Sequence, residues 1–166
     1  MYNTILLAAA LQEWKRYSAH ALAAREMAAA LARGTSRCVH VLSAYEYELI
    51  QGIEAPISII NKRRREQRHQ TELIMQGIVD AYIAPLQDEG LRVETILRVG
   101  TPWDVIVDVA TSIGADLLIM GSHSKRGLFD IALGGTAQHV SKRAPCQVVM
   151  VSPAPRAKSP SPDAMG

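Results

Sequence analysis

The residues best suited to bind a ligand form a stretch rich in glycine and basic side chains. This stretch contains Met120, Gly121, Ser122, His123, Ser124, Lys125, Arg126 and Gly127, and it resumes at Gly134, Gly135 and Thr136. It lies between a predicted buried strand and the start of a predicted helix. Backbone N–H groups at a helix start favour a phosphate, and the helix dipole favours it further. Two neighbouring cations would offset the charge of a polyphosphate, and glycines let the backbone approach it closely. The pattern indicates phosphate binding.

A second interpretation of the same stretch is a flexible strand-to-helix connection whose glycines only permit the turn. Neither Gly-x-x-x-x-Gly-Lys-Ser/Thr nor Gly-x-Gly-x-x-Gly occurs in the sequence. The loop is therefore neither a P-loop nor a dinucleotide-binding fingerprint. Phosphate binding at this loop remains a hypothesis on spacing alone.

The other reactive side chains do not assemble a catalytic or metal site in the sequence. Cys38 and Cys146 are too far apart for a disulfide framework or a structural zinc site, and each lies in an apolar stretch typical of a small buried hydrophobe. Of the five histidines, His20, His40 and His139 show no metal-ligand spacing, and His123 has no paired nucleophile. We therefore expect no catalytic residue and no bound structural metal.

The elements that must position the glycine-rich loop alternate between strands and helices. Short apolar runs predict strands over Thr4–Leu11, Cys38–Ala44, Leu91–Val99, Asp116–Met120 and Gln147–Val151. Between them, helices are predicted over Glu13–Arg33, in the second half of Ile57–Glu89, after Thr101 and over Gly135–Arg143. This order predicts an α/β fold, a doubly wound parallel sheet of five strands with helices on both faces. Ligands of such sheets bind beyond the carboxyl ends of the strands, where strand order reverses.

Two segments fall outside this pattern. Asn61–Glu72 has no apolar residue and contains a basic run, so we expect it to project into solvent, either mobile or docked on a partner. Residues 153–166 are rich in proline and serine and have no core-forming pattern, so we predict a domain over 1–152 and a disordered tail after it.

Composition excludes several classes of partner. The formal net charge is +2 and aromatic residues make up 5%, which argues against nucleic acid and against an anionic membrane surface as partners. The longest apolar runs are too short for a spanning helix. No basic leader precedes Ala8-Ala9-Ala10, so we expect a cytoplasmic protein.

The sequence resembles the universal stress protein family (UspA domain) from about Met1 to Val151. The resemblance is carried by Tyr2–Leu7, by Gly100-Thr101-Pro102, by Ala115–His123, and by Gly134–Ala137 together with Arg143–Val151. It implies a five-stranded parallel sheet flanked by four helices, of the adenine nucleotide alpha hydrolase-like type. It also implies a small regulatory protein of the stress response.

The resemblance further implies a site for ATP or another adenine nucleotide through Gly-x2-Gly-x9-Gly-Ser/Thr. Gly121 and Gly134 match its first and third glycines, while Ser124 and Gly135 depart from it, with Thr136 one residue late. The family's Asp after the first strand is Ala10 here, and its Pro two residues earlier is Ala8. The adenine is expected near Ala8, Ala10 and Val41. These departures predict weak binding.

The resemblance also implies a homodimer joined through the last strand, Gln147, Val148, Val149, Met150 and Val151. Three hypotheses for function remain open at this point. The protein is a nucleotide-binding regulatory module, a nucleotide-independent interaction module of the same fold with a protein partner, or a slow ATP hydrolase. The last is weakest, because no general base, metal-binding acid or nucleophile can be named.

Overall fold

Five parallel strands form the central sheet of the computed structural model, which describes residues 2–12, 16–35, 37–46, 56–122 and 134–153. In chain order the strands are β1 Thr4–Ala8, β2 Leu11–Gln12, β3 Arg16–Tyr17, β4 Cys38–Tyr45, β5 Arg92–Val99, β6 Leu117–Gly121 and β7 Gln147–Val151. The sheet order is β5-β4-β1-β6-β7, with β2 and β3 forming a separate antiparallel pair. The predicted fold class is confirmed.

The continuous apolar run of β1 reflects its place at the centre of the sheet. Ile5, Leu6 and Leu7 are all fully buried. Successive side chains point to opposite faces, so Ile5 and Leu7 join one core cluster while Leu6 joins the other. A strand covered on both faces needs apolar residues at every position.

Four helices cover the two faces. They are α1 Ala19–Ala32, α2 Ile57–Asp88, α3 Pro102–Ser112 and α4 Gly135–Arg143. The alanines of α1 and the second half of α2 bury one face of the sheet. Ile106, Val109 and Ala110 of α3 and Ala137 and Val140 of α4 bury the other. No helix in the described ranges is both long enough and apolar enough to cross a membrane.

The predicted start of the first helix, Glu13, is wrong. The helix begins at Ala19, because Ser18 has an extended backbone and its hydroxyl accepts a hydrogen bond from the Ala21 N–H at 3.1 Å, a typical N-cap. The chain before it forms the β2-β3 pair, in which the backbone of Leu11 pairs with that of Tyr17. Strand β1 ends at Ala8, earlier than the predicted Leu11.

Helix α2 is one continuous helix of 32 residues, about 48 Å long. Its first half includes Asn61–Glu72, whose side chains are exposed or half-buried, so the prediction that this segment stays outside the core is confirmed. The helix predicted in the second half of Ile57–Glu89 is confirmed, and its buried residues include Met75, Val79, Tyr82 and Leu86. The Tyr82 hydroxyl donates to the Ala21 carbonyl at 2.7 Å and ties α2 to α1.

Candidate functional site

A cleft of about 320 Å³ opens beyond the carboxyl ends of β1 and β4, on the side of α3 and α4. It is lined by residues that end the two strands or begin the two helices: Ala8, Ala9, Ala10, Leu42, Ala44, Tyr45, Glu46, Pro102, Ile106 and Thr136. Strand β1 lies between β4 and β6, so the chain reverses its direction of travel across the sheet at this point. This is where doubly wound sheets bind ligands.

The floor of the cleft is apolar and tightly fixed. The Ala9 N–H donates to the Leu42 carbonyl at 2.9 Å, which holds the ends of β1 and β4 together. Ala8, Leu42 and Ile106 belong to the core cluster under α3 and α4. Because alanine side chains are short, they leave room above the sheet for a flat apolar group such as a nucleobase.

The start of α4 forms part of the rim. Gly134 is its N-cap, with an extended backbone and no side-chain hydrogen bond to the first turn, and Thr136 lines the cleft. The first intrahelical bond runs from the Gln138 N–H to the Gly134 carbonyl at 3.0 Å. As at other helix starts, the N–H groups of the first turn have no carbonyl partner one turn earlier in the helix and can donate to an anion.

Glu46 is the carboxylate among the cleft-lining residues, and sequence reasoning missed it. It follows β4 directly and is exposed. Its position immediately after the carboxyl end of a strand next to β1 is the feature that could have indicated it. A carboxylate there can accept hydrogen bonds from hydroxyl or amino groups of a bound molecule.

The structure brings several of the predicted site residues together. Ala8, Ala10 and Thr136 line the cleft, with Gly134 and Gly135 beginning α4 beside Thr136. Met120 is buried in the core cluster under α3 and α4, at the end of β6. Ser124, Lys125, Arg126 and Gly127 lie outside the described residues.

The prediction for Val41 is wrong. Its side chain is fully buried in the cluster beneath α1 and α2, on the face of the sheet opposite the cleft. Leu42 lines the cleft instead. The cause is the two-residue alternation of a strand, since a shift of one residue moves a side chain to the other face.

Gly121 is required by helix packing. A Cβ added to Gly121 would lie 2.8 Å from the Cβ of His20 and 3.0 Å from its backbone carbonyl carbon. The end of β6 therefore approaches the first turn of α1 more closely than any other residue type allows. A Cβ added to Gly135 would meet no atom within 4 Å in the described structure.

The last strand leaves one edge of the sheet open among the described residues. Strand β7 pairs with β6 on one side and ends the sheet. Val149 and Val151 pack on the core under α1 and α2, Val148 and Met150 pack on the opposite core, and all four remain partly accessible. Gln147 is exposed and accepts a hydrogen bond from the Tyr2 hydroxyl.

A family model, that of the universal stress protein family, matches residues 1–152. The chain belongs to the universal stress protein family. This confirms the resemblance stated on sequence motifs. Curated members similar to it include the universal stress protein MJ0577 of Methanocaldococcus jannaschii, 35% identical over 91 residues, which are 55% of this chain and 51% of that protein. Another is the universal stress protein Sll1388 of Synechocystis, 30% identical over 93 residues, which are 56% of this chain and 58% of that protein.

These alignments span only about half the length of each relative. Solved structures in the family share the fold over more of the chain. The structure of MJ0577 superposes with a TM-score of 0.72 at 26% identity, over 91% of this chain and 96% of that one. A universal stress protein from Archaeoglobus fulgidus, solved in complex with dAMP, superposes with a TM-score of 0.61 at 20% identity, over 91% and 98%.

Proposed function

We propose that this universal stress protein is a regulatory module that binds an adenine nucleotide weakly in the cleft between the end of β1 and the start of α4. The observation that carries the proposal is an apolar cleft at the reversal of strand order, bordered by a helix start whose first N–H groups can donate to a phosphate. The solved complex of the Archaeoglobus fulgidus relative with dAMP supports it.

The cleft suggests where each part of the nucleotide lies. The base is proposed to pack against Ala8 and Ala10, where the largely buried Leu42 also lines the cleft. The phosphates approach the start of α4 at Gly134, Gly135 and Thr136, where N–H groups point outward. Lys125 and Arg126, in the preceding loop, are proposed to neutralise the phosphate charge.

Two departures from the family motif reduce the expected affinity. Ala10 cannot accept a hydrogen bond from the nucleoside, and a bond to a charged group contributes about 1.5–3 kcal/mol. Ser124 replaces a glycine of the family motif. If ligand binding requires a left-handed backbone at this position, a residue with a side chain costs about 1–2 kcal/mol there. Together these losses lower the affinity by roughly several hundredfold, which places the dissociation constant in the high micromolar range.

Glu46 partly compensates for the alanine at position 10. It lines the same cleft from the end of the neighbouring strand, so its carboxylate is proposed to accept hydrogen bonds from the ribose hydroxyls. In this arrangement the carboxylate that accepts hydrogen bonds from the nucleoside lies at the end of β4, whereas the family motif places it at the end of β1.

Calorimetry with ATP tests the nucleotide site. The double variant Ala10→Asp with Ser124→Gly should bind ATP at least about tenfold more tightly, because the two changes together should recover at least roughly 1.4 kcal/mol. Gly134→Val should abolish binding by obstructing the phosphates.

Glu46→Gln should weaken binding about tenfold, while Glu66→Gln on the exposed half of α2 serves as its matched control. Submicromolar ATP binding by the natural protein would contradict the loss of affinity assigned to Ala10 and Ser124. Absence of ATP binding by the double variant would show that the site lies elsewhere.

A nucleotide-independent interaction module is the second candidate, favoured by Ala10, which removes the family's nucleoside acceptor. The two candidates differ in whether nucleotide co-purifies with the gently isolated protein, as mass spectrometry would reveal. In either case we propose a regulatory role without catalysis. Incubation with ATP should then release no phosphate above the rate of the heat-treated protein.

The protein is proposed to act as a homodimer through β7. The outer edge of β7 presents apolar residues and backbone N–H and C=O groups that can pair with another strand. An identical strand related by a two-fold axis would form hydrogen bonds with these groups. Light scattering should give about twice the monomer mass of 18.1 kDa at tens of micromolar. Val149→Lys should shift the protein toward the monomer, because it places like charges near the axis. A monomeric natural protein would reject this arrangement.

A further inference from the structure

Three side chains with metal-binding atoms meet near the amino ends of β4 and β5. Cys38 and His40 lie two residues apart on β4 and therefore on one face of the sheet. Glu94 on β5 is the direct register partner of His40. The cysteine sulfur, a histidine nitrogen and a carboxylate oxygen all lie within 4.8 Å of one another.

We propose that Cys38, His40 and Glu94 form a binding site for Zn²⁺ or a chemically similar divalent transition metal. In a tetrahedral zinc site with bonds of about 2.0–2.3 Å, the donor atoms lie roughly 3.3–3.8 Å apart. His40 Nδ1 already lies 3.4 Å from Glu94 Oε2. The other two donor separations are at most 4.8 Å. They therefore need to shorten by no more than about 1 Å, which is within the reach of side-chain rotation.

The surroundings of Glu94 prepare its carboxylate for this role. Oε2 faces His40, while Oε1 lies 3.5 Å from the guanidinium of Arg92. One oxygen is therefore directed at the site and the other is oriented by a neighbouring cation. Metal-binding carboxylates are commonly held by such outer partners.

The donor set selects the kind of metal. A thiolate, an imidazole and one carboxylate suit zinc and related transition metals, whereas Mg²⁺ and Ca²⁺ prefer oxygen ligands throughout. Three protein ligands leave the fourth tetrahedral position for water. Glu94 is 52% exposed and His40 16%, so an ion can enter from solvent. The geometry points to an exchangeable site, separate from the cleft at the other end of β4.

Sequence patterns did not indicate this cluster, because the expectation of no metal rested on the spacing of residues within single segments. Its donors come from two strands that α2 separates in the chain. Among the described residues, no other group of three such side chains has this spacing.

Cobalt and zinc titrations of the full chain, stripped with a chelator, test the proposal. One equivalent of Co²⁺ should produce a thiolate-to-cobalt charge-transfer band. Added Zn²⁺ should displace the Co²⁺ and abolish this band. Cys38→Ser should remove the band, and His40→Ala or Glu94→Gln should weaken Zn²⁺ binding at least about tenfold. Cys146→Ser, the change at the other free cysteine, should retain both the band and the affinity.

A second measurement keeps the test independent of how the variants fold. In the natural protein, Zn²⁺ should slow alkylation of Cys38 and leave that of Cys146 unchanged, as read by mass spectrometry. The proposal is overturned by the absence of the band, by its loss in Cys146→Ser, or by equal protection of both cysteines. Because nucleotide plays no part in these measurements, their outcome is independent of the proposed nucleotide site.

Discussion

The two ends of strand β4 present the same face of the sheet to very different surroundings. Near its amino end, Cys38 and His40 are partly accessible beside Glu94, whereas further along Leu42 is only 1% exposed. Helices α3 and α4 cover the carboxyl half of this face and bury Leu42 in their core cluster. Coverage by helices, and not the alternation of the strand, decides which side chains pack and which meet solvent.

The comparison shows two ways in which a parallel sheet can bind ligands. At the carboxyl end the cleft offers short apolar side chains and the backbone of a helix start, with Glu46 at its edge. At the amino end, Cys38, His40 and Glu94 converge through strand register alone. At the first place a ligand would be recognised by its shape and by backbone N–H groups, and at the second by side-chain chemistry.

The largest expected effect separates core from surface along β4. Leu42→Ala should lower the free energy of unfolding by about 2–5 kcal/mol, because it leaves a cavity in the cluster under α3 and α4. His40→Ala, two residues earlier on the same face, should cost about 1 kcal/mol or less. Urea unfolding in the presence of a chelator compares the two variants. Equal losses would show that the amino end is packed as tightly as the carboxyl end.

A smaller effect on the melting temperature should distinguish Gly121, which helix packing requires, from Gly135, which lies at the proposed phosphate position. Gly121→Ala should lower the melting temperature by about 3–10 °C, because the added Cβ collides with the first turn of α1. Gly135→Ala is the matched change, and it should leave the melting temperature nearly unaltered because its Cβ has open space. Scanning calorimetry reports both. An unchanged melting temperature for Gly121→Ala would contradict the close approach of β6 and α1.

The smallest effect concerns Asp116, which joins the amino ends of β1 and β6. Its carboxylate accepts hydrogen bonds from the N–H groups of Thr4 at 2.9 Å and Asn3 at 2.7 Å, and these bonds lower its pKa. A lowered pKa in the folded state stabilises the protein above the pKa of the unfolded chain. That stabilisation is lost as the pH falls through the folded pKa.

Asp116→Asn should therefore be less stable than the natural protein near neutral pH, and the difference should shrink toward about pH 2. Urea midpoints across this range measure it. Asp108→Asn, on the exposed side of α3, is the control and should show no such trend. A difference that stayed constant with pH would assign Asp116 a purely steric role.

Much of the architecture could be predicted because it depends on local patterns. The alternation of apolar runs and helical stripes indicated the order of the main elements, including the second half of α2, where Met75 and Val79 are buried. The start of α1 could not be placed in this way, since the Ser18 cap follows a β2-β3 pair whose two-residue strands are too short to show any periodicity.

The candidate site was harder to predict because it depends on tertiary placement. Val41 and Leu42 are both apolar, and only the register of β4 with β1 decides which one faces the cleft. Glu46 can be recognised as a cleft residue only once the ends of β1 and β4 are known to lie side by side. The Cys38, His40 and Glu94 cluster likewise depends on the pairing of β4 with β5.

The continuous helix α2 has a consequence for how the molecule opens. Its first buried residue is Met75, so the half that precedes it gains little from tertiary packing. Backbone amides there should exchange with deuterium far sooner than those between Val79 and Leu86. Proteases that cut after basic residues should nick the run from Lys62 to Arg65 while the sheet and its core stay folded. One helix thus contains two units of unlike local stability, and its first half can unwind and reform without disturbing the domain.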